Sequence, residues 1–141
     1  MRTFAPFVLL LALLGAASQS PAAEGYQVIV NVANPAAALP KDQLSKIFMK
    51  KVQKWESGQP IAPVDQDQAS PARSAFSKAV HGKPVSAVAS YWQQQIFAGR
   101  DVPPAEKASD AAVIAFVKAN TGAVGYVSGN APADVKVLAV E

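Results

Sequence analysis

Cysteine is absent from the 141-residue chain, and histidine occurs once, at His81. Without cysteine the protein can form neither a disulfide framework nor a lipid-modified N-terminal cysteine, so its stability must come from an ordinary hydrophobic core. His81 stands beside Gly82 at a predicted helix end, where we interpret it as a capping residue. Because no thiolate exists and the one histidine has this simpler role, we predict that the protein is not an enzyme.

A large excess of one charge sign is also missing. The chain has 13 lysines and arginines against 10 aspartates and glutamates. The one local basic cluster, Lys50, Lys51 and Lys54, is interpreted as a solvated helix end. Nucleic-acid binding would need a broader basic patch with stacking aromatic residues, so no nucleic-acid partner is predicted.

The acidic residues give no stronger signal for catalysis or metal binding. Asp65 and Asp67 are separated by one residue in a predicted loop, but general acid–base catalysis needs one carboxyl group in an apolar pocket, which nothing here suggests. A metal site made of these two carboxylates and Glu56 would be oxygen-rich and poorly defined. We therefore predict no catalytic residue, no metal ion and no cofactor.

The N-terminal segment predicts export. Arg2 precedes an apolar run of roughly 14 residues, which is too short to span a bilayer comfortably. Small residues follow it, and Ala22 or Ala23 is the expected cleavage position. We predict a secretory signal peptide over residues 1–23, with an uncleaved anchor as the alternative, and a soluble periplasmic protein. The mature part, residues 24–141, has about 118 residues, which fits a single domain.

The remaining chain alternates between strand and helix periodicities, which favours a mixed α/β domain. Pro63 lacks the N–H group that a strand ladder uses, so its strand is placed at an edge or a bulge of the sheet. The predicted elements are strands at Tyr26–Val32, Pro60–Val64, Ala123–Val127 and Val135–Val140, with helices at Pro40–Phe48, from Ser70 to before Gly82, at Val85–Phe97 and from Ser109 to Lys118.

The helix that begins at Ser70 is the best candidate for an anion site. Ser70 suits the N-cap and Pro71 the first helical position, so the free N–H groups of this turn face the preceding polar loop. Arg73 opposes the helix dipole unless a negative partner is present. That partner is either a bound anion, held by Ser70 and Arg73 with Gln66 and Gln68, or an internal carboxylate, from Asp65 or Asp67. Residue chemistry alone leaves both interpretations open.

These motifs together resemble the phosphate-binding proteins of ABC importers. The resemblance extends through most of the mature chain. It rests on Leu44, Ile47, Phe48 and Trp55, on Ser70 with Arg73 and Phe76, and on Gly122-Ala123-Val124-Gly125-Tyr126-Val127. Tyr91-Trp92, with Phe97, Gly99 and Pro103-Pro104, resembles more specifically a short, stand-alone branch described as phosphate transporter substrate-binding-like.

The resemblance implies one lobe of a type II periplasmic-binding-protein fold, an α/β structure whose mixed central sheet is packed with helices. In the full-length family, phosphate lies between two lobes, partly held by a Ser-Gly-Thr turn with an arginine beside it. Here Ser70 and Arg73 match, but Pro71 has no N–H donor and Ala72 has no hydroxyl group. Lys50 stands where the family has a glycine, so that helix end must accept lysine in a glycine-like position or terminate differently.

Two functions follow from the resemblance and from these departures. The first is weak binding of phosphate or a related small oxyanion at Ser70, Arg73, Gln68 and Gln66, linked to phosphate uptake or sensing, with a second copy of the chain completing the cleft as a homodimer. The alternative is an interaction module that keeps the fold of the lobe and docks a periplasmic, membrane or envelope protein.

Overall fold

The computed structural model describes residues 25–141, so the predicted signal peptide lies outside the described residues. Among the described residues, no helix is long and apolar enough to cross a membrane. The elements are β1 (Gln27–Val30), β2 (Ala38–Leu39), α1 (Lys41–Phe48), β3 (Ala62–Gln66), α2 (Pro71–Phe76) continuing into a π-helical turn (Ser77–His81), α3 (Val85–Phe97), β4 (Ala105–Lys107), α4 (Asp110–Ala119), β5 (Ala123–Val127), β6 (Lys136–Val137) and β7 (Ala139–Val140).

A five-stranded mixed sheet organises the domain, with strand order β4-β3-β5-β1-β6. Strand β3 pairs in parallel with β4 and β5, whereas β1 is antiparallel to β5 and β6. The short strands β2 and β7 form a separate parallel pair. The predicted mixed α/β fold is confirmed.

Helices cover both faces of this sheet. Neighbouring residues of a strand point to opposite faces, so each strand contributes side chains to both layers. On one face, Phe48 of α1 and Phe76 of α2 pack against Tyr126 of β5, and the rings of Phe76 and Tyr126 stack at a centroid distance of 4.1 Å. On the other face, Val113 and Val117 of α4 pack with residues of β1, β3 and β5. The carboxyl end of β3 and the beginning of α2 therefore belong to a layered, well-packed core.

Helix α1 matches its prediction closely. Leu44, Ile47 and Phe48 form its buried side, and Trp55 is buried beyond it, with its indole nitrogen donating to the carbonyl oxygen of Gly122 at 3.0 Å. Lys50, which follows the helix, has a φ of 57°. A lysine therefore occupies a left-handed, glycine-like conformation, at a cost of about 1–2 kcal/mol.

The placement of Pro63 at a sheet edge is wrong, because β3 lies between β4 and β5. Proline is tolerated there because β4 begins to pair only at Val64, so Pro63 has a ladder partner on one side only, at Val124. The predicted strand Val135–Val140 is also divided. Its two parts, β6 and β7, pair with different strands, and buried Leu138 between them donates its N–H to Val28.

Gly125 provides a direct test of packing on both sides of β5. A Cβ atom at this position would lie 2.7 Å from methyl carbons of both Val64 and Val113, so side chains, not the neighbouring backbone predicted from the sequence, occupy the space. Overpacking of this kind costs about 1–3 kcal/mol, and we expect Gly125→Ala to lower the free energy of unfolding in urea by that amount.

The matched control is Gly129→Ala, because nothing lies within 4 Å of a Cβ atom placed there. We expect this control to change stability by less than about 0.5 kcal/mol. Equal stability of the two variants would contradict the described packing around β5.

Candidate functional site

Ser70 caps α2, as predicted, but the one proton of its hydroxyl group is already donated within the protein. Its Oγ accepts the N–H of Arg73 at 3.4 Å and donates to Oε1 of Gln66 at 2.7 Å. The N–H of Ala69 donates to Oδ1 of Asp67 at 2.9 Å. Pro71 has no N–H, so most donors of this turn are either absent or satisfied within the protein.

Arg73 extends into the protein and is only 4% exposed. Its Nη1 donates to the carbonyl oxygen of Gln66 at 2.8 Å and to Oε1 of Glu106 at 2.5 Å, and its Nη2 lies 3.8 Å from Oδ2 of Asp65. Burial acts to lower the pKa of Arg73, but Asp65 and Glu106 outweigh it and raise the pKa above its ordinary value. The guanidinium group is therefore charged and has internal partners.

Of the two carboxylates considered from the sequence, Asp65 forms the ion pair with Arg73, while Asp67 accepts the N–H of Ala69. Asp65 is itself buried, and Oη of Tyr126 donates to its Oδ1 at 2.5 Å. Burial raises the pKa of Asp65, although Arg73 and the Tyr126 bond act in the opposite direction. The pKa of Tyr126 is raised because burial and the Asp65 charge disfavour the phenolate.

Gln66 joins three elements at the carboxyl end of β3. Its Nε2 donates to Oδ1 of Asp110 at 2.7 Å and to the carbonyl oxygen of Tyr126 at 2.9 Å, while its Oε1 accepts the Ser70 bond. Gln66 is buried, and all three of these bonds are internal. Its amide therefore orients Ser70 and has little capacity left for a ligand.

Gln68 and Arg73 come together at a cavity of about 120 Å³ between α2, α3 and β4. Gln68 is exposed, and Glu106 and Trp92 lie in the same cavity wall. Trp92 is buried, and its indole nitrogen has no hydrogen-bond partner among the described residues. Ser70 and Gln66 connect to this cavity through their bonds to Arg73. Two of the four predicted site residues thus line one cavity, and the other two support it.

Three residues of this network were not found from the sequence. Glu106 lies in β4, a segment for which the sequence predicted no helix or strand, and Asp110 follows Ser109, the observed cap of α4. Tyr126 stands within the glycine-containing strand motif, which was the available signal for it. Within the part of the chain that the structure describes, no group of three or more acidic, histidine or cysteine side chains could hold a metal ion.

His81 does not cap its own helix, so that interpretation is wrong. The helix ends at Gly82, whose φ of 64° is left-handed, and Nδ1 of His81 lies 2.7 Å from Oγ of Ser45 on α1. The imidazole ring also packs edge-on against Phe76. Burial lowers the pKa of His81 to about 4, with Arg73 and Lys83 acting in the same direction.

The α/β lobe carries this polar network at the carboxyl end of the parallel strands β3 and β4. A family model for the PBP superfamily domain matches residues 15–140, and the chain belongs to that family. The predicted type II periplasmic-binding-protein lobe is thereby confirmed. No curated protein matches the chain.

Solved structures about twice as long as this chain share this architecture. A protein from Clostridium perfringens described as a phosphate ABC transporter substrate-binding protein with bound phosphate has 23% identity and a TM-score of 0.66, over 82% of this chain and 44% of its own. An ABC-type phosphate transport receptor from Vibrio cholerae has 25% identity and a TM-score of 0.65, over 82% of this chain and 46% of its own. The chain therefore spans less than half the length of each.

Removing the arginine should destabilise the protein strongly, because it leaves the buried Asp65 carboxylate unpaired. We expect Arg73→Ala to lower the free energy of unfolding by about 3–5 kcal/mol in urea denaturation. Glu106→Gln should cost much less, since the Glu106 side chain is 44% exposed and its pair is screened by solvent. A mild effect of Arg73→Ala would contradict the internal role of this charge.

The low pKa of His81 predicts a specific acid sensitivity. Native His81 stays neutral to about pH 4, whereas the unfolded chain takes up the proton near pH 6.5, so the unfolded state binds more protons between these values. Stability must then fall as the pH decreases through this window, by about 1 kcal/mol between pH 7 and about pH 5.5. Urea denaturation of the wild type and of His81→Gln at a series of pH values isolates this effect. An equal loss of unfolding free energy in the two proteins as the pH falls would refute it.

Proposed function

We propose that the protein is an exported PBP-type lobe that binds phosphate or a related small oxyanion weakly at the Arg73 cavity, in phosphate uptake or sensing. The observation that carries this proposal is the meeting of the buried Arg73 guanidinium and the exposed Gln68 in one cavity at the start of α2. Bidentate arginine donors favour small oxyanions. The structurally similar Clostridium perfringens protein has phosphate bound, which supports this choice of ligand.

The charges around the cavity favour an oxyanion that carries a proton. Glu106 lines the cavity and Asp65 faces the same guanidinium group, so a fully deprotonated anion meets two carboxylates. Phosphate at neutral pH can donate its remaining proton to a carboxylate while its other oxygens accept hydrogen bonds from arginine. Sulfate has no such proton. Binding should therefore discriminate phosphate from sulfate.

Arg73 retains donors for such a ligand. A guanidinium group carries five N–H bonds, and the two on Nη1 are used by Gln66 and Glu106. The Nε donor remains, and Nη2 is ion-paired with Asp65 at 3.8 Å without a hydrogen bond to it. Gln68 adds an exposed side-chain amide at the same cavity. Weak affinity follows from the Ser70 hydroxyl, whose proton is donated to Gln66, from the proline at position 71 and from the open side of the lobe. A second copy of the chain would supply the missing wall.

Calorimetric titration with inorganic phosphate tests this proposal. We expect saturable binding in the millimolar range, with sulfate weaker by about tenfold or more. Gln68→Ala should weaken phosphate binding, and Arg73→Lys should do so while keeping the internal charge, which Arg73→Ala would not. Gln94→Ala is the matched control, because this exposed glutamine lies on α3 outside the cavity wall.

The absence of saturable phosphate binding by the folded wild-type protein would refute the oxyanion proposal. Equal weakening by Gln94→Ala and Gln68→Ala would refute the assigned location. Sulfate binding as tight as phosphate binding would refute the role of the carboxylates.

Docking of a periplasmic or envelope protein is the second candidate, and exposed apolar side chains beside the cavity favour it. Phe97 is 96% exposed, and Ile96 and Val102 are more than half exposed. Ile96 also lines the Arg73 cavity, so the apolar patch and the polar site are continuous. A lobe without anion affinity would leave this patch as the functional surface.

A further inference from the structure

A second cavity, of about 90 Å³, lies where α1, the π-helical turn and α3 meet. This volume is several times what one water molecule requires. It adjoins the far end of the helix that begins at Ser70, and Arg73 does not line it. Its wall contains Ser45, Met49, Lys51, His81, Lys83, Ala87, Val88 and Tyr91.

The charge of this wall is entirely positive. It includes Lys51 and Lys83, and none of the described residues that line it is acidic. Some lysines of the domain have carboxylate partners, as Lys46, Lys50 and Lys118 do. Over residues 25–141, Lys51 and Lys83 form none. Two unneutralised ammonium groups therefore share one small concavity, which attracts a counter-ion.

The hydrogen-bonding groups of the wall suit an acceptor-rich ligand. Ser45 and His81 are bonded to each other at 2.7 Å, and the pair keeps one proton to donate in either imidazole tautomer. When Nδ1 accepts from the serine, Nε2 carries the free N–H group. When Nδ1 donates, the serine hydroxyl proton is free. Tyr91 and the two lysines add further donors.

We propose that this second cavity binds a small tetrahedral oxyanion, held by Lys51 and Lys83 and by the Ser45–His81 pair. The site is separate from the Arg73 cavity and has the opposite selectivity. It contains no carboxylate, so a fully deprotonated dianion such as sulfate binds at least as well as phosphate. The cavity volume admits a free ion and excludes a large organic ligand.

His81 supplies a built-in reporter of this site, because it is the only histidine of the chain. The charged groups that act on it are Arg73 and Lys83, both positive, with Lys51 in the same cavity wall. An anion among them favours the imidazolium form. Binding should raise the pKa of His81 from about 4 toward its ordinary value of 6.5.

The experiment is an NMR titration of tag-free protein that follows the imidazole signals of His81 while sulfate is added, with chloride at equal ionic strength as the screening control. We expect saturable shifts with sulfate and phosphate, a raised His81 pKa at saturation, and no saturation with chloride. The indole signal of Trp92 reports the Arg73 cavity in the same spectra. It should respond to phosphate more than to sulfate.

The double variant Lys51→Gln/Lys83→Gln should weaken the sulfate response of His81 by about tenfold or more. Lys78→Gln is the matched control, because Lys78 is an exposed lysine of the same π-helical turn that does not line the cavity. Unchanged His81 signals in sulfate, equal shifts in chloride, or an undiminished response in the double variant would each overturn the proposal. A saturable sulfate response at His81 without any phosphate response at Trp92 would support this site. That outcome would count only against phosphate binding in the Arg73 cavity.

Discussion

A buried positive charge at Arg73 is the constraint on which the rest of this lobe depends. A guanidinium group removed from water must be neutralised and hydrogen-bonded, and Asp65 of β3, Glu106 of β4 and the backbone of Gln66 do this. Asp65 in turn requires Tyr126 of β5. The charge of Arg73 thereby holds α2 against β3, β4 and β5. Tyr126, which bonds to Asp65, also stacks on Phe76 of α2.

The same interaction shapes what this end of the sheet can bind. The donors that a helix beginning normally offers to an anion are largely used within the protein, at Ser70 and Ala69, so a ligand gains little from the turn itself. In the proposed site, an anion shares Arg73 with two carboxylates. That arrangement favours a ligand that can both accept and donate hydrogen bonds, and it limits affinity. In the proposed site, the structural role of Arg73 therefore competes with anion binding.

Local sequence rules predicted the four helices and the strands β1, β3 and β5, but they predicted neither β2 and β4 nor which strands pair. Helical periodicity predicted α1, and capping preferences predicted the role of Ser70. Glu106 is 33 residues from Arg73, and no periodicity connects them. The interior position of Pro63 depends on where β4 begins to pair, and the division between β6 and β7 depends on Leu138 bonding to β1. These features arise from pairing between distant segments, which sequence pattern alone does not encode.

The central claim is that Arg73 both holds the fold together and contacts the ligand. A crystal structure of the wild-type protein, grown in phosphate and free of sulfate, tests it most directly. We predict a phosphate ion in the Arg73 cavity, bonded to Arg73 and Gln68 with a protonated oxygen facing Glu106, and with the Asp65–Arg73 pair retained. An unoccupied Arg73 cavity in a crystal whose protein binds phosphate in solution would contradict the claim.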